Sequence, residues 1–229
     1  NMGASLWVLD ELLIESGGAL DMTGKGLAAG QTINPITGLQ ESVGSSNNRR
    51  GGSHGGLGGG NTPDTNESHP DVYGNPRIPT TLGGGGISTS TNNGDLGGGE
   101  GGGAFFVRAD TLKVEGQIIS DGKSGIYTSH NTYAGGGAGG SLWLDVNTLE
   151  GEGYISASGG DGGNTPTNSN AGYGGGGGRI RIDYVTKTFE GSIQTSAGEG
   201  YLRSPAQAGT VYVKSKTNNL WVEGGRTEI

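Results

Sequence analysis

Apolar and polar positions recur along this chain in one pattern. The segments Gly3–Leu9, Gly103–Arg108, Gly140–Asp145, Gly178–Asp183 and Gly209–Lys214 read GASLWVL, GAFFVR, GSLWLD, GRIRID and GTVYVK. Each is a glycine followed by a short alternating run, the period of two that marks a strand with one buried face. Set beneath one another by their apolar positions, the runs predict an inward column of Leu6/Val8, Phe105/Val107, Leu142/Leu144, Ile180/Ile182 and Val211/Val213, all apolar. A second run follows each of the first four: IESGGALDMTG from Ile14, VEGQIISDG from Val114, EGEGYISASGG from Glu150 and FEGSIQTSAGEG from Phe189. These share one apolar position, Leu20, Ile118, Ile155 or Ile193, set between small residues and a Ser/Thr/Asp/Gly exit.

The unit is therefore strand, turn, strand, glycine-rich return. It recurs after 37 residues from Phe105 to Leu142, after 38 to Ile180 and after 31 to Val211, within the range of stacked repeats. One such unit cannot bury its thin apolar face alone, whereas stacked units cover one another. The chain reads as a single glycine-rich β domain over 1–229: a first rung at 3–23, an insertion at 24–102, repeat rungs at 103–215 and a C-terminal cap at 216–229. The insertion carries five of the seven prolines and long glycine runs. Such runs are either disordered or pack side by side as extended polyglycine segments, because only glycine permits so close a backbone approach. The predicted fold class is all-β, a glycine-rich parallel β-solenoid of about five rungs; the alternative is an antiparallel β-sandwich in which the paired runs are hairpins.

Composition sharpens this picture. Glycine supplies 53 of 229 residues, and each glycine costs a helix interior about 1 kcal/mol relative to alanine, so a mainly helical protein is excluded. No apolar run approaches the roughly 20 residues of a membrane-spanning helix, no signal-type segment opens the chain, and no membrane insertion is expected. The formal charge of −8 leaves no basic stripe for a phosphate backbone, so nucleic acid is not an expected partner. With no cysteine, neither disulfides nor thiolate metal sites are available.

The succession GGSHGGLGGG, YGNPRIPTTLGGGG, GGGAFFVRADTLKVEGQIISDG, GGGAGGSLWLDVNTLEGEGYISASGGDGG, GGGGGRIRIDYVTKTFEGSIQTSAGEG and AGTVYVKS, over about residues 50 to 215, resembles the glycine-rich repeat domains of very large bacterial surface and secreted proteins, which have relatives among eukaryotic glycine-rich proteins. The resemblance implies a parallel β-solenoid-like extracellular module. It carries over no catalytic residue.

Between the inward positions, the first strands place Trp7, Phe106, Trp143, Arg181 and Tyr212 in one outward column. Stacked in register, these would form a ladder with Arg181 in cation–π contact with Trp143 and Tyr212. Such a strip suits polysaccharide if it is open, and forms a second core if glycine-rich segments cover it. Asp64, Glu67 and Asp71 gather oxygen donors in one polar loop, as does the stretch around Asp161, and calcium is the metal such donors would take. They lack the spacing of an EF-hand, so no cofactor is expected beyond possible calcium. His54, His69 and His130 are too scattered for zinc. Asp145 and Asp183 share a column at about one inter-strand spacing of 4.8 Å, near the separation of a retaining glycosidase, but Arg108 and Lys214 in that column would compensate them. Asn66 opens a glycosylation sequon with Glu67 and Ser68.

The chain is thus expected to be a non-enzymatic extracellular or cell-surface module. It would build an adhesin, sheath or filament by end-to-end stacking or tandem repetition of itself, through open end rungs near Leu6 and Trp221. The alternatives are a carbohydrate-binding module that uses the aromatic strip and a β-helical polysaccharide-degrading enzyme.

Overall fold

The computed structural model describes residues 3–42, 49–60, 71–88, 97–126, 133–163, 171–201 and 205–217, and the backbone of 221–224. The strands are β1 (Ala4–Trp7), β2 (Glu11–Ile14), β3 (Ala19–Asp21), β4 (Gln31–Ile33), β5 (Gln40–Ser42), β6 (Ala104–Val114), β7 (Gln117–Ile119), β8 (Ser141–Glu150), β9 (Tyr154–Ser156), β10 (Arg179–Tyr184), β11 (Thr186–Lys187), β12 (Ser192–Gln194), β13 (Thr210–Ser215) and β14 (Trp221–Gly224). Among the described residues there is no helix. The large sheet runs β1-β6-β8-β10-β13-β14, with β2 beside β6 and β11 beside β8; a smaller sheet runs β12-β9-β7-β3; β4 and β5 form a separate pair. All pairs in the two main sheets are parallel except β13 with β14.

Like pairs with like. The second runs stack with Leu20, Ile118, Ile155 and Ile193 opposite one another, and consecutive strands of a unit, such as β6 and β7, belong to different sheets. The hairpins that an antiparallel sandwich needs are not how these repeats pair. Both sheets contribute to one apolar core: Val107, Leu144 and Ile182 from the large sheet and Ile118 and Ile155 from the small one are all fully buried.

Register corrects the alignment of the first unit. Ala4, not Leu6, stands opposite Phe105, and Leu6 stands opposite Val107. The slip is two residues, so the inward face keeps its parity; a slip of one would have turned every apolar side chain outward. The later units have Phe105, Leu142, Ile180 and Val211 in one column, as aligned.

The glycine runs form a third layer with a period of its own. Along residues 135–140, the amides of Gly135 and Ala138 donate to Ile87 and Gly84, those of Gly136 and Gly139 to Tyr173 and Gly176, and those of Gly137 and Gly140 to Lys123 and Ser120, at 2.7–2.9 Å. Every third donor thus reaches the same neighbour, the geometry of an extended helix with three residues per turn. The segment 172–178 repeats the pattern: Gly172, Gly175 and Gly178 donate to Gly163, Gly160 and Ala157, while Tyr173 and Gly176 donate to Arg49 and Gly52. Each of these extended helices is therefore bonded to several others, and the described glycine runs of the 24–102 insertion, around 51–59, 83–86 and 98–102, are members of this bundle. A Cβ on Gly136 would sit 1.9 Å from the Gly160 carbonyl oxygen, and one on Gly140 would sit 1.9 Å from that of Gly103. Close approach, not a left-handed backbone, fixes glycine at the strand entrances: among the described residues the positive-φ glycines are 17, 24, 30, 38, 60, 74 and 151, and none precedes β6, β8, β10 or β13.

Candidate functional site

The outer face of the large sheet carries the aromatic residues. Parallel register puts Ser5, Phe106, Trp143, Arg181 and Tyr212 in one column and Trp7, Arg108, Asp145, Asp183 and Lys214 in the next. Trp7 therefore leaves the column in which the sequence placed it, because the two-residue slip moves it opposite Arg108. Its ring still reaches Phe106, edge-on at 5.7 Å between centroids, and Phe106 meets Trp143 in the same manner at 5.1 Å. The Arg181 guanidinium lies 4.5 Å from the Trp143 ring centroid and 5.6 Å from that of Tyr212. Arg108 lies 5.0 Å from the Trp7 ring centroid.

Exposure falls along this row. Trp7 is 64% exposed, Phe106 and Trp143 are half-buried, and Tyr212 is fully buried. The strip is thus neither open throughout nor a closed second core. A segment of the insertion crosses its covered half: Arg181 donates through Nη1 to the Arg77 carbonyl, Ser141 Oγ donates to the Thr81 carbonyl at 2.7 Å, and Pro79 is buried. Where that cover ends lies a cleft of about 260 Å³, lined by Pro79 and Thr80 on one side and by Ser5, Trp7, Phe106 and Trp143 on the other.

The two carboxylates beside the strip are fully engaged. Asp183 accepts Arg181 Nε at 2.6 Å and Trp143 Nε1 at 2.8 Å. Asp145 accepts Lys216 Nζ at 2.7 Å and Arg108 Nε at 2.8 Å. Partial burial works against charge on Asp145, but the hydrogen bonds and charges of Lys216 and Arg108 outweigh it and hold the carboxyl below its ordinary range. Asp145 is thus an ion-paired anion, unlike the proton-bearing acid that a glycosidase needs.

A buried polar cluster ties the insertion to the sheet, and nothing in the sequence pattern marked it. His54 is fully buried. Its Nδ1 is 2.8 Å from the Gly139 carbonyl, an acceptor only, so Nδ1 carries the proton and Nε2 accepts from Thr81 Oγ1, also at 2.8 Å. Burial first, and then the nearby positive charge of Arg179, lower the imidazole pKa to about 3. Arg179, itself buried, donates through Nε and Nη2 to the Tyr73 carbonyl at 3.0 and 2.8 Å and through Nη1 to Thr210 Oγ1 at 3.2 Å. The Tyr73 hydroxyl donates to Leu82 at 2.7 Å, and burial raises its pKa.

Of the expected calcium ligands, Asp71 is exposed, while Asp64 and Glu67 lie outside the described residues, as do Asn66, His69 and His130. Among the described residues no three His, Asp or Glu side chains gather to hold a metal. The Asp161 loop is held by protein: Asp161 Oδ1 accepts the Glu199 amide at 2.7 Å. Of the expected assembly ends, Leu6 is half-buried on the edge strand β1. Trp221 belongs to β14, which closes the other edge antiparallel to β13 rather than as a further parallel rung.

Comparison of the chain with family models, with curated proteins and with solved structures finds no match.

Proposed function

We propose that this chain is a non-enzymatic structural module of the extracellular surface: a parallel β-solenoid, braced by its polyglycine bundle, that builds a sheath, filament or adhesin by end-to-end stacking. The observation that carries the reading is the open first rung. Leu112 and Leu149, stacked inside the large sheet, are fully buried, whereas their register partner Leu12 is only half-buried. On the same rung Trp7 is 64%, Leu13 44% and Leu9 fully exposed, and among the described residues β1 and β3 are edge strands, each paired on one side. An exposed apolar edge of this kind recruits another strand. The bundle supports the structural reading in a second way, because its described glycine runs are tied to one another by backbone hydrogen bonds, which raises the cost of opening them locally.

Light scattering over a concentration series tests this. The weight-average mass should rise with concentration for the native chain and stay at one chain for a Leu9→Lys/Leu13→Lys variant. A native chain of constant monomeric mass would overturn the proposal.

A further inference from the structure

The cleft at the open end of the aromatic strip is the feature that the structural reading leaves unused. We propose that it binds a proline-bearing extended peptide segment, as a continuation of the packing that the chain's own residues 79–82 already make.

Two observations choose this ligand. First, the strip already has proline as its neighbour. Pro79 is buried where it helps to line the cleft with Phe106 and Trp143, and the backbone beside it is captured by strand side chains, through Ser141 to the Thr81 carbonyl and Arg181 to the Arg77 carbonyl. Proline-bearing extended segments dock in aromatic-lined grooves in this way, with a ring against rings and carbonyls taken by donors at the rim. The vacant half repeats the parts. Trp7 offers an exposed indole, Phe106 stands edge-on beside it, and Arg108 sits over both rings at 5.0 and 5.7 Å. Arg108 gives Nε and Nη2 to Asp145, and its Nη1 has no acceptor among the described residues, so it is the donor for an incoming carbonyl.

Second, the walls suit a pyrrolidine ring better than a sugar. Apart from Arg108 at the rim, the hydrogen-bonding side-chain groups of the lining are the hydroxyls of Ser5 and Thr80 and the two indole N–H groups, and that of Trp143 is already given to Asp183 at 2.8 Å. A pyranose would enter with hydroxyls on most of its carbons and leave several unpaired, which costs about 1–3 kcal/mol for each. Proline has no side-chain donor to desolvate and little conformational freedom to lose. At about 260 Å³ the cleft is just below the usual range of ligand sites, the size for one or two ring side chains and not for a long glycan.

The test is fluorescence anisotropy of a labelled, end-capped oligoproline peptide titrated with the full chain, with a glycine–serine peptide of equal length as control. Oligoproline should bind saturably and the control should not. Trp7→Ala should weaken binding about tenfold or more, the loss expected when a central aromatic anchor is truncated. Ser5→Trp, which fills the cleft from its exposed wall, should do the same, and it keeps the test valid should Trp7→Ala fail to fold by circular dichroism. No saturable binding, or binding indifferent to both substitutions, would overturn the proposal. So would a cello-oligosaccharide that binds the cleft where oligoproline does not.

Discussion

The carbonyl oxygen of Gly137 lies 2.0 Å from the point where a Cβ on Gly175 would stand. Two extended glycine helices are in contact there, and the gap between them is smaller than a methyl group. Glycine is thus a packing residue in this bundle, as leucine is in the core of the sheets.

Gly175→Ala should accordingly destabilise the fold by about 3 kcal/mol or more, the upper range for an overpacked site, since the obstructing atom is backbone. Gly38→Ala is the control. Gly38 has φ of 67° and nothing within 4 Å of its would-be Cβ, so only the left-handed backbone is strained, at about 1–2 kcal/mol. Urea unfolding of the two variants should separate them in that order; equal losses would mean that the helices can spread.

His54 gives the fold an acid limit. Its pKa falls from 6.5 to about 3 on folding, so the unfolded chain binds the proton more readily. The stabilisation is complete above pH 6.5 and is lost progressively as pH falls toward 3, a loss of about 5 kcal/mol in all. A His54→Gln variant should be less stable at pH 7, and the difference from the native chain should shrink as pH is lowered from 6.5 to 3.5. Chemical denaturation at a series of pH values measures it; a constant difference would place the imidazole in contact with solvent.

Arg179 tests how the insertion is held. Its three described hydrogen bonds reach only neutral acceptors, and a lysine cannot reproduce the paired donation to the Tyr73 carbonyl. Arg179→Lys should cost about 2–4 kcal/mol, and hydrogen exchange should rise first at Tyr73 and His54. Exchange that rises evenly over the sheet would contradict this role.

Much of the sheet architecture was legible because side chains carry it. The Leu20, Ile118, Ile155 and Ile193 column and the repeat spacings follow from apolar residues at fixed intervals. The register of the first unit was not legible. Aligning GASLWVL with GAFFVR sets aromatic on aromatic, but a shift of two keeps the same inward face, and only pairing across the long insertion chooses between them. The glycine bundle is harder to read. Its order lies in which carbonyl each amide reaches, and a run such as Gly135–Gly137 has no side chain to record it. His54, Tyr73 and Arg179 escaped for a related reason: their partners are mostly backbone carbonyls, at Gly139, Leu82 and Tyr73, which leave no spacing motif.

The open first rung is proposed to stack on another copy. Negative-stain electron microscopy of the concentrated protein, native and Leu9→Lys/Leu13→Lys side by side, addresses it most directly. Regular filaments are expected from the native chain and isolated particles from the variant. Isolated particles from both, at every concentration, would contradict it.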